Sequence, residues 1–343
     1  MWLKFYFTQS AGNLSGLIPV GIFRDHTPEF ICCKNWLSSQ HNPFVKIKGL
    51  RYYTSKTPLR QKNNSKTLFA QYLTGLIEGD GTIYVPKTSR SIKGVLNYPS
   101  IQIVFHLKDI ALALIIQKEL GHGSISRRKG QNAYIYTVNN LEGVSLVISL
   151  LNGNMKTNKI DTLHKLIDWY NQYNNTSFIK EVLNVDSVLS NAWLSGFMEA
   201  DGHFYIRSTE LGEYPKVECK FELSQSQKDH NQKDNYFFLE DIALAFDCTV
   251  KCTREYSTNP QYRIRTTNIK GNLALISYIT KYPLFGTKLL DFKDWVKVVE
   301  LFKQSPFNHK LHMDYIKQIK SDMNDKRTSF SWDHLQYFYN LNK

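Results

Sequence analysis

Apolar and polar positions along this chain run through the same succession twice. The first round opens near Lys66 with an apolar helix that stops at Gly79-Asp80-Gly81. Strand-like alternation follows at 81–85, 100–107, 124–128 and 133–138. Between the second and third strands, 109–120 reads as a helix with Asp109 as its N-cap. Helical spacing returns at 141–151 and at 159–170. The polar run 171–190 is a connector, with Asn171-Gln172-Tyr173-Asn174-Asn175 as its clearest loop signal. The second round places a helix ending at Asp201, strands at 203–207 and 216–224, a helix at 234–246, and strands at 249–255 and 261–266. Helices near 273–280 and 289–303 complete it. Beyond them, 309–327 carries Leu311, Ile316, Ile319 and Met323 at helical spacing, which predicts a packed amphipathic helix with its lysines in solvent. The implied partition is an unassigned leader or linker (1–66), a first repeat (67–170), a linker (171–190), a second repeat (191–304) and a helical tail (305–343).

A shared string heads each round: LTGLIEGDG at 73–81 and LSGFMEADG at 194–202. Asp80 and Asp201 are 201 − 80 = 121 positions apart. Lys108-Asp109 pairs with Lys233-Asp234, and Ser124-Ile125 with Thr249-Val250, both at an offset of 125; Lys159 pairs with Lys288 at 129. Such slow drift is what small loop insertions produce in a duplicated unit. The string DIALA, at Asp109 and again at Asp241, needs an offset of 132 and falls outside that series. It reads as an accident.

The 343 residues, 42% of them hydrophobic, give room for two domains with separate cores. Lys and Arg number 43 against 30 Asp and Glu, a net charge of +13. That excess makes a polyanion the default partner, nucleic acid before an anionic membrane surface. The apolar runs 110–116 and 144–151 are far too short to span a bilayer, so no membrane role is expected. Five cysteines (Cys32, Cys33, Cys219, Cys248, Cys252) form no CxxC pair, which points away from disulfide and zinc frameworks. Alternation places Cys248 and Cys252 on the inner face of a strand as buried thiols. The run 46–66 is basic and polar, like a linker; 51–56 would suit an organellar import sequence, against which Asp25 and Glu29 count.

Gly75 and Gly79 lie four apart in the first repeated helix, as do Gly196 and Ala200 in the second. Residues four apart share a face, and a glycine inside a helix costs about 1 kcal/mol against alanine, so a packing reason is expected. Small residues on one face let two helix backbones approach closely. Pairing through that face would make Asp80 and Asp201 neighbours. Gly81 suits the helix stop through its tolerance of positive φ. Two carboxylates at 4 Å repel by about 4 kcal/mol at an effective dielectric near 20, and helix C-termini add negative potential. The pair must share a proton or hold a cation, and an oxygen-rich acidic site suits Mg²⁺. A lone Asp before a turn glycine ordinarily only ends a helix; a duplicate with matching small residues argues for a site.

These two strings resemble the paired motifs of the LAGLIDADG homing endonucleases in their single-chain, two-motif form, over roughly 68–327. Thr74, Glu78, Ser195 and Glu199 depart from the eponymous string at its second and sixth positions; the eighth-position acid is intact in both copies. The resemblance implies an α+β fold of two pseudo-symmetric αββαββα repeats packed through the motif helices, each with an antiparallel sheet that binds DNA. It implies Asp80 and Asp201 as catalytic, metal-binding acids, with the carbonyls of Gly79 and Ala200 as accessory ligands. Mg²⁺ is the expected ion, with Mn²⁺ as a substitute. A lysine near the centre of each half is implied, best matched by Lys159 and Lys288, each following a threonine in a short loop. A water-orienting polar residue at a strand end is also implied, with His106 and Gln225 as candidates and Gln227 a near miss.

The sheets the resemblance turns toward the major groove carry basic and amide side chains on alternate positions: Gln102, His106, Ser126 and Arg128 in the first repeat. The second offers His203, Tyr205, Arg207, Lys216, Lys220, Gln225, Arg263 and Arg265. Arg and Gln can pair bidentately with guanine and adenine edges, while lysines meet phosphates. A polar outer face belongs to any half-buried strand; the basic, amide-rich content is the specific signal. The expected function is metal-dependent, site-specific cleavage of both strands of a long DNA target, leaving 3′ overhangs and serving intron homing. The alternative is an RNA-binding maturase that assists splicing of its host intron. The resemblance is strongest to mitochondrial members, so a mitochondrial, monomeric protein is expected.

Overall fold

A computed structural model describes residues 61–209, 216–304 and 312–341. The leader, the import-like run, Cys32, Cys33, Leu311 and the start of the tail lie outside the described residues. The first repeat runs α1 (Gln61–Asp80), β1 (Gly81–Tyr84), β2 (Ser100–His106), α2 (Ile110–Leu120), β3 (Ser124–Arg127), β4 (Ala133–Val138), α3 (Leu141–Leu151) and α4 (Ile160–Asn174). The second runs α5 (Trp193–Asp201), β5 (Gly202–Thr209), β6 (Lys216–Ser226), α6 (Tyr236–Ala245), β7 (Lys251–Thr253), β8 (Gln261–Arg265), α7 (Ile269–Lys281) and α8 (Thr287–Gln304). Each repeat holds a four-stranded antiparallel sheet, ordered β1-β2-β4-β3 and β5-β6-β8-β7. This is the αββαββα order expected, with one further helix closing each repeat.

Burial explains why α1 and α5 form the centre. Phe69, Tyr72, Leu73, Leu76 and Ile77 are buried around α1, and Trp193, Leu194, Phe197 and Met198 around α5. A helix apolar on all sides belongs inside a protein, not on it. Each such side chain, fully buried, contributes roughly 1.5–3 kcal/mol. Polar positions inside these helices are bonded: the Thr74 hydroxyl donates to Ala70 O at 2.7 Å, and Ser195 Oγ to Tyr282 O at 2.5 Å.

Strand registers fix the equivalence of the repeats. Gly81 lies opposite Ile103, and Gly202 opposite Leu223. The offset is therefore 121 at the helix ends but 223 − 103 = 120 in β2 and β6. Ile103 faces Tyr136, and Leu223 faces Ile264, an offset of 128 in the last strand. Asp109 closes a 3-10 turn (Leu107–Asp109) ahead of α2, whereas Asp241 lies within α6. DIALA is thus no repeat.

Several expectations are corrected. Asp109 makes no side-chain cap on α2; its carboxylate serves the other repeat, as described below. Gly81 does not adopt positive φ: a Cβ there would lie 2.6 Å from Ile77 Cα and O, so glycine is required by close approach. Asn171 to Asn174 continue α4, and the left-handed turn comes one residue later, at Asn175 (φ 49°). Cys252 is exposed and Cys248 half-buried, since β7 starts only at Lys251 on a sheet edge; Cys219 is buried. Among the described residues of the tail only α9 (Met313–Ser321) is α-helical, with Ile316, Ile319 and the following Met323 buried. From 322 to 341 the chain packs as 3-10 turns and extended segments, with Phe338 and Tyr339 against Phe69, Tyr72 and Phe285. No helix among the described residues is long and apolar enough to cross a membrane.

Candidate active site and nucleic-acid face

The small residues do what their spacing predicts. A Cβ on Gly75 would lie 1.9 Å from Trp193 O, and one on Gly196 1.8 Å from Tyr72 O. These contacts are two-fold equivalents, since 193 − 72 and 196 − 75 both equal 121. Further along, a Cβ on Gly79 would meet Ala200 Cβ at 2.2 Å and the Asp201 carboxylate at 2.9 Å. Backbone contact along α1 and α5 therefore brings the two acid-bearing ends side by side.

The sixth-position glutamates hold the loops that carry the lysines. Glu78, buried, accepts from Thr157 N and Oγ1, both at 2.6 Å, and from Lys156 N at 3.1 Å. Glu199, also buried, accepts from Phe285 N at 2.7 Å. Each also takes a donor from the opposite motif helix: Trp193 Nε1 to Glu78 at 2.5 Å, and Tyr72 Oη to Glu199 at 3.1 Å. Burial pushes both carboxyls up, and these hydrogen bonds oppose it.

Lys159 Nζ, thus placed, donates to Ile77 O and Gly81 O, each at 2.8 Å; Lys288 Nζ donates to Met198 O at 3.4 Å and Ala200 O at 2.5 Å. Neither motif helix has a basic residue in its own last turn. The lysines supply that charge from elsewhere in the chain, where it is favourable to the helix dipole. Burial lowers Lys159, and Glu78, Asp201 and Asp80 push it back up. Each lysine loop also touches the other repeat: Thr287 N donates to Asp109 Oδ1 at 2.7 Å, and Asn158 Nδ2 to Asp234 O at 3.0 Å.

Asp201 is half-buried, and burial together with Asp80 pushes its carboxyl up to about 7 against the pull of Lys288, Lys159 and Gln225. Asp80 is also raised, by crowding of protein around it and by Asp109, with Lys288 and Lys159 opposing. Yet its surface is open to solvent. Water at that exposed carboxylate screens these effects. The pair repels, as two adjacent carboxylates must. Among the described residues no group of three or more His, Cys, Asp and Glu gathers as a closed metal cage. Two carboxylates at an open site fit a hard divalent ion that keeps water and phosphate ligands. The Ala200 carbonyl, expected as an accessory ligand, is already engaged by Lys288.

The candidate water-orienting residues separate. Gln225 Nε2 donates to Asp201 Oδ2 at 2.5 Å. The His106 side chain is exposed at the end of β2, its Nδ1 accepting from Lys108 N at 3.2 Å. Gln227 lies past the end of β6, where its backbone bonds Pro260 and Asn235.

Eight of the proposed DNA-facing residues share the outer sheet faces: Gln102 and His106 in the first repeat, and His203, Arg207, Lys216, Lys220, Arg263 and Arg265 in the second. Gln225 points the other way, to the acids, and Arg128 follows the last residue of β3. Glu218 and Glu222 also stand on the outer face. Glu218 holds Lys220 at 2.6 Å, and Glu222 holds Arg265 at 2.5 Å and Arg263 at 3.7 Å. A phosphate or base approaching this face would have to displace a carboxylate from these cations. Tyr205 sits among them, with the Arg265 guanidinium 5.8 Å from its ring centre.

Two-fold repeats that pair their acid-bearing helices beneath two sheets define a two-motif, single-chain scaffold built around one composite centre. The LAGLIDADG endonuclease family model matches residues 73–173 and 194–299, and the chain belongs to this family. It is 30% identical over 305 residues to the intron-encoded DNA endonuclease aI3 of Saccharomyces cerevisiae, covering 79% of this chain and 73% of that one. The crystal structure of the homing endonuclease I-GzeII in complex with its DNA target is similar in fold, with a TM-score of 0.61 at 20% identity, covering 76% of this chain and 99% of that one. I-SmaMI, bound to an uncleaved DNA target in the presence of calcium ions, gives a TM-score of 0.55 at 19% identity, covering 74% and 98%.

Proposed function

We propose that this protein is a metal-dependent, site-specific double-strand DNA endonuclease of intron homing, acting as a monomer in the mitochondrion. The observation that carries the reading is the meeting of Asp80 and Asp201 at the ends of two helices in backbone contact, each beside a buttressed lysine. Asp80 and Asp201 would hold divalent metal, Mg²⁺ first and Mn²⁺ as a substitute. When bound, the ion neutralises charge at the scissile phosphate and activates water. Lys159 and Lys288, fixed on the helix-end carbonyls, would offset negative charge on the phosphorane. Gln225 would fix the rotamer of Asp201. The outer sheet faces would read a long, asymmetric duplex, since the two carry different side chains. Scission within a few base pairs of the pseudo-two-fold would leave the short 3′ overhangs the family resemblance implies.

The test is incubation with duplex DNA carrying the intronless insertion site, with Mg²⁺ or with EDTA. Cleavage of both strands only with metal is expected. The alternative, an RNA maturase that has lost cleavage, would instead show no cutting with any metal and tight binding to intron RNA. Both motif acids are intact, which favours cleavage.

A further inference from the structure

Three residues after Lys288 on α8 stands a buried acid, Asp291, and residues three apart are neighbours on a helix surface. Both line one pocket of about 200 Å³, with Gly202 and His203 from the end of the second motif and Asn324 from the tail. Left unneutralised, that carboxylate would draw the Lys288 ammonium into a pair along its own helix. Lys288 Nζ instead crosses to the motif helix, 2.5 Å from Ala200 O. Arg327 of the tail accounts for this. Its Nε and Nη2 donate to Asp291 Oδ1 at 3.0 and 2.8 Å, and Asn324 N donates to the same oxygen at 2.9 Å. Among the described residues no other cation pairs with Asp291 within 4.0 Å. Arg327 also meets Asp294 at 2.6 Å, but that acid has a second cation in Lys297, again at 2.6 Å. Lys108, the other ammonium in the pocket, is held by Asn324 O at 3.2 Å and by Asp325 at 3.8 Å. The first repeat has no such arrangement. At the offset of 129 that pairs Lys159 with Lys288, Asp291 answers to Thr162, which is uncharged and whose buried hydroxyl has no partner. Lys159 therefore meets no carboxylate at that helix position. The tail braces the second lysine loop again through His334, whose Nε2 donates to Phe285 O at 2.8 Å.

We infer that Arg327 is a positioning residue for Lys288: by holding Asp291 it leaves the lysine on the helix-end carbonyl, beside the paired acids. The role of that lysine in cleavage rests on the endonuclease reading above; its seat on Ala200 does not. A buried carboxylate stripped of its cation is strongly penalised and takes the nearest one that can reach it. With Arg327 gone, that cation is Lys288, one helical turn away and on the wall of the same pocket. The swing would exchange a carbonyl for a carboxylate and carry the ammonium away from Asp201. The segments matched by the family model end at residue 299, so this brace comes from chain beyond them.

The first measurement is brief acetylation of the metal-free full chain with acetic anhydride, read by mass spectrometry, with the exposed Lys293 of the same helix as reference. Arg327→Met should raise the labelling rate of Lys288 about tenfold, the worth of one hydrogen bond to a charged group, and leave Lys159 unchanged. In an Asp291→Asn background the same Arg327→Met change should alter Lys288 by less than about twofold, because no carboxylate remains to draw the lysine away. A merely structural role for Arg327 would loosen the tail equally in both backgrounds; equal effects overturn the inference. If circular dichroism shows Arg327→Met unfolded, Arg327→Gln, which keeps an amide donor but no charge, takes its place with the same outcomes. The second measurement is single-turnover cleavage of a duplex target selected from randomised DNA, with Mg²⁺. Arg327→Met should slow it about tenfold with target affinity in a gel shift unchanged, and addition of Asp291→Asn should restore most of the rate. A loss confined to affinity, or a double variant as slow as the single, overturns the inference. A wild type that leaves this DNA intact with every metal would instead sink the endonuclease reading, while the labelling still decides the seat of Lys288.

Discussion

Helix propensity and packing make opposite predictions for Gly196→Ala. In an isolated helix alanine is better than glycine by about 1 kcal/mol. Here the new methyl would lie 1.8 Å from Tyr72 O and 2.8 Å from both Tyr72 C and Leu76 N. Ordinary contact begins near 3.4 Å, so the helices must part by about 3.4 − 1.8 = 1.6 Å. The obstructing atoms are backbone and cannot rotate away. Overpacking of a tight core typically costs 1–3 kcal/mol. With backbone on both sides the upper end applies, leaving a net loss of about 2 kcal/mol after the helix gain, or a fall in Tm of about 4–8 °C. Thermal and urea unfolding of the metal-free protein measure it. Gly75→Ala should behave alike, and the double variant should lose less than the sum, because one separation relieves both clashes. Wild-type stability or better in Gly196→Ala would refute the close-approach argument. The same variants report on function: moving α1 from α5 separates Asp80 from Asp201, so DNA cleavage should fall further than DNA binding.

Asp80→Asn and Asp201→Asn should each abolish double-strand cleavage while leaving DNA binding in a gel-shift assay largely intact; retained cutting by either would break the composite-site model. In EDTA, stability should depend on pH through Asp201, which burial and Asp80 raise to about 7 from an unfolded value of about 3.9. A raised folded value means its contribution is full below about pH 4 and is lost as pH rises through about 7. Wild type should therefore lose Tm between pH 5 and 8 relative to Asp201→Asn and regain it with Mg²⁺; parallel curves would contradict the assignment. Glu78→Gln turns an amide NH₂ toward donors from Thr157, Lys156 and Trp193, and should cost about 2–3 kcal/mol in unfolding experiments. Lys159→Met should slow cleavage about tenfold or more without weakening target binding.

The helix pairing was legible in the sequence because its cause is local. Four-residue spacing of small side chains, repeated 121 positions later, already describes two faces that fit one another. The acids followed from their place at the helix ends. Which of the candidate water-orienting residues reaches the acids was not legible for a definite reason. His106 and Gln225 both stand at the end of the second strand of their repeat, but pairing them needs an offset of 225 − 106 = 119, one short of the 120 that the strand register gives. Strand side chains alternate with period two, so a slip of one residue sends a side chain to the other face. His106 thereby falls on the outer surface and Phe105 takes the inner position. Asp109 misled for a related reason: a helix start nominates an Asp as its cap, and only the folded chain reveals Thr287 from the other repeat as the better donor. The engagement of Arg265 by Glu222 needed strand pairing, since 43 residues separate them.

The glutamates show why this duplication yields one site instead of two. Within a repeat, Glu78 or Glu199 could hold its own lysine loop through backbone amides alone. Each nevertheless takes its remaining donor from the partner helix, Trp193 for Glu78 and Tyr72 for Glu199. A buried carboxylate lacking one donor is strongly penalised, so each lysine loop is fully stabilised only when the other repeat is in place. Thr287 on Asp109 and Asn158 on Asp234 repeat the crossing one layer further out. The acids meet through the helix contact, and the lysines that balance their charge depend on that contact as well. Damage at Gly75 or Gly196 should therefore reach the lysines through Trp193 and Tyr72, whose carbonyls are the atoms those glycines touch.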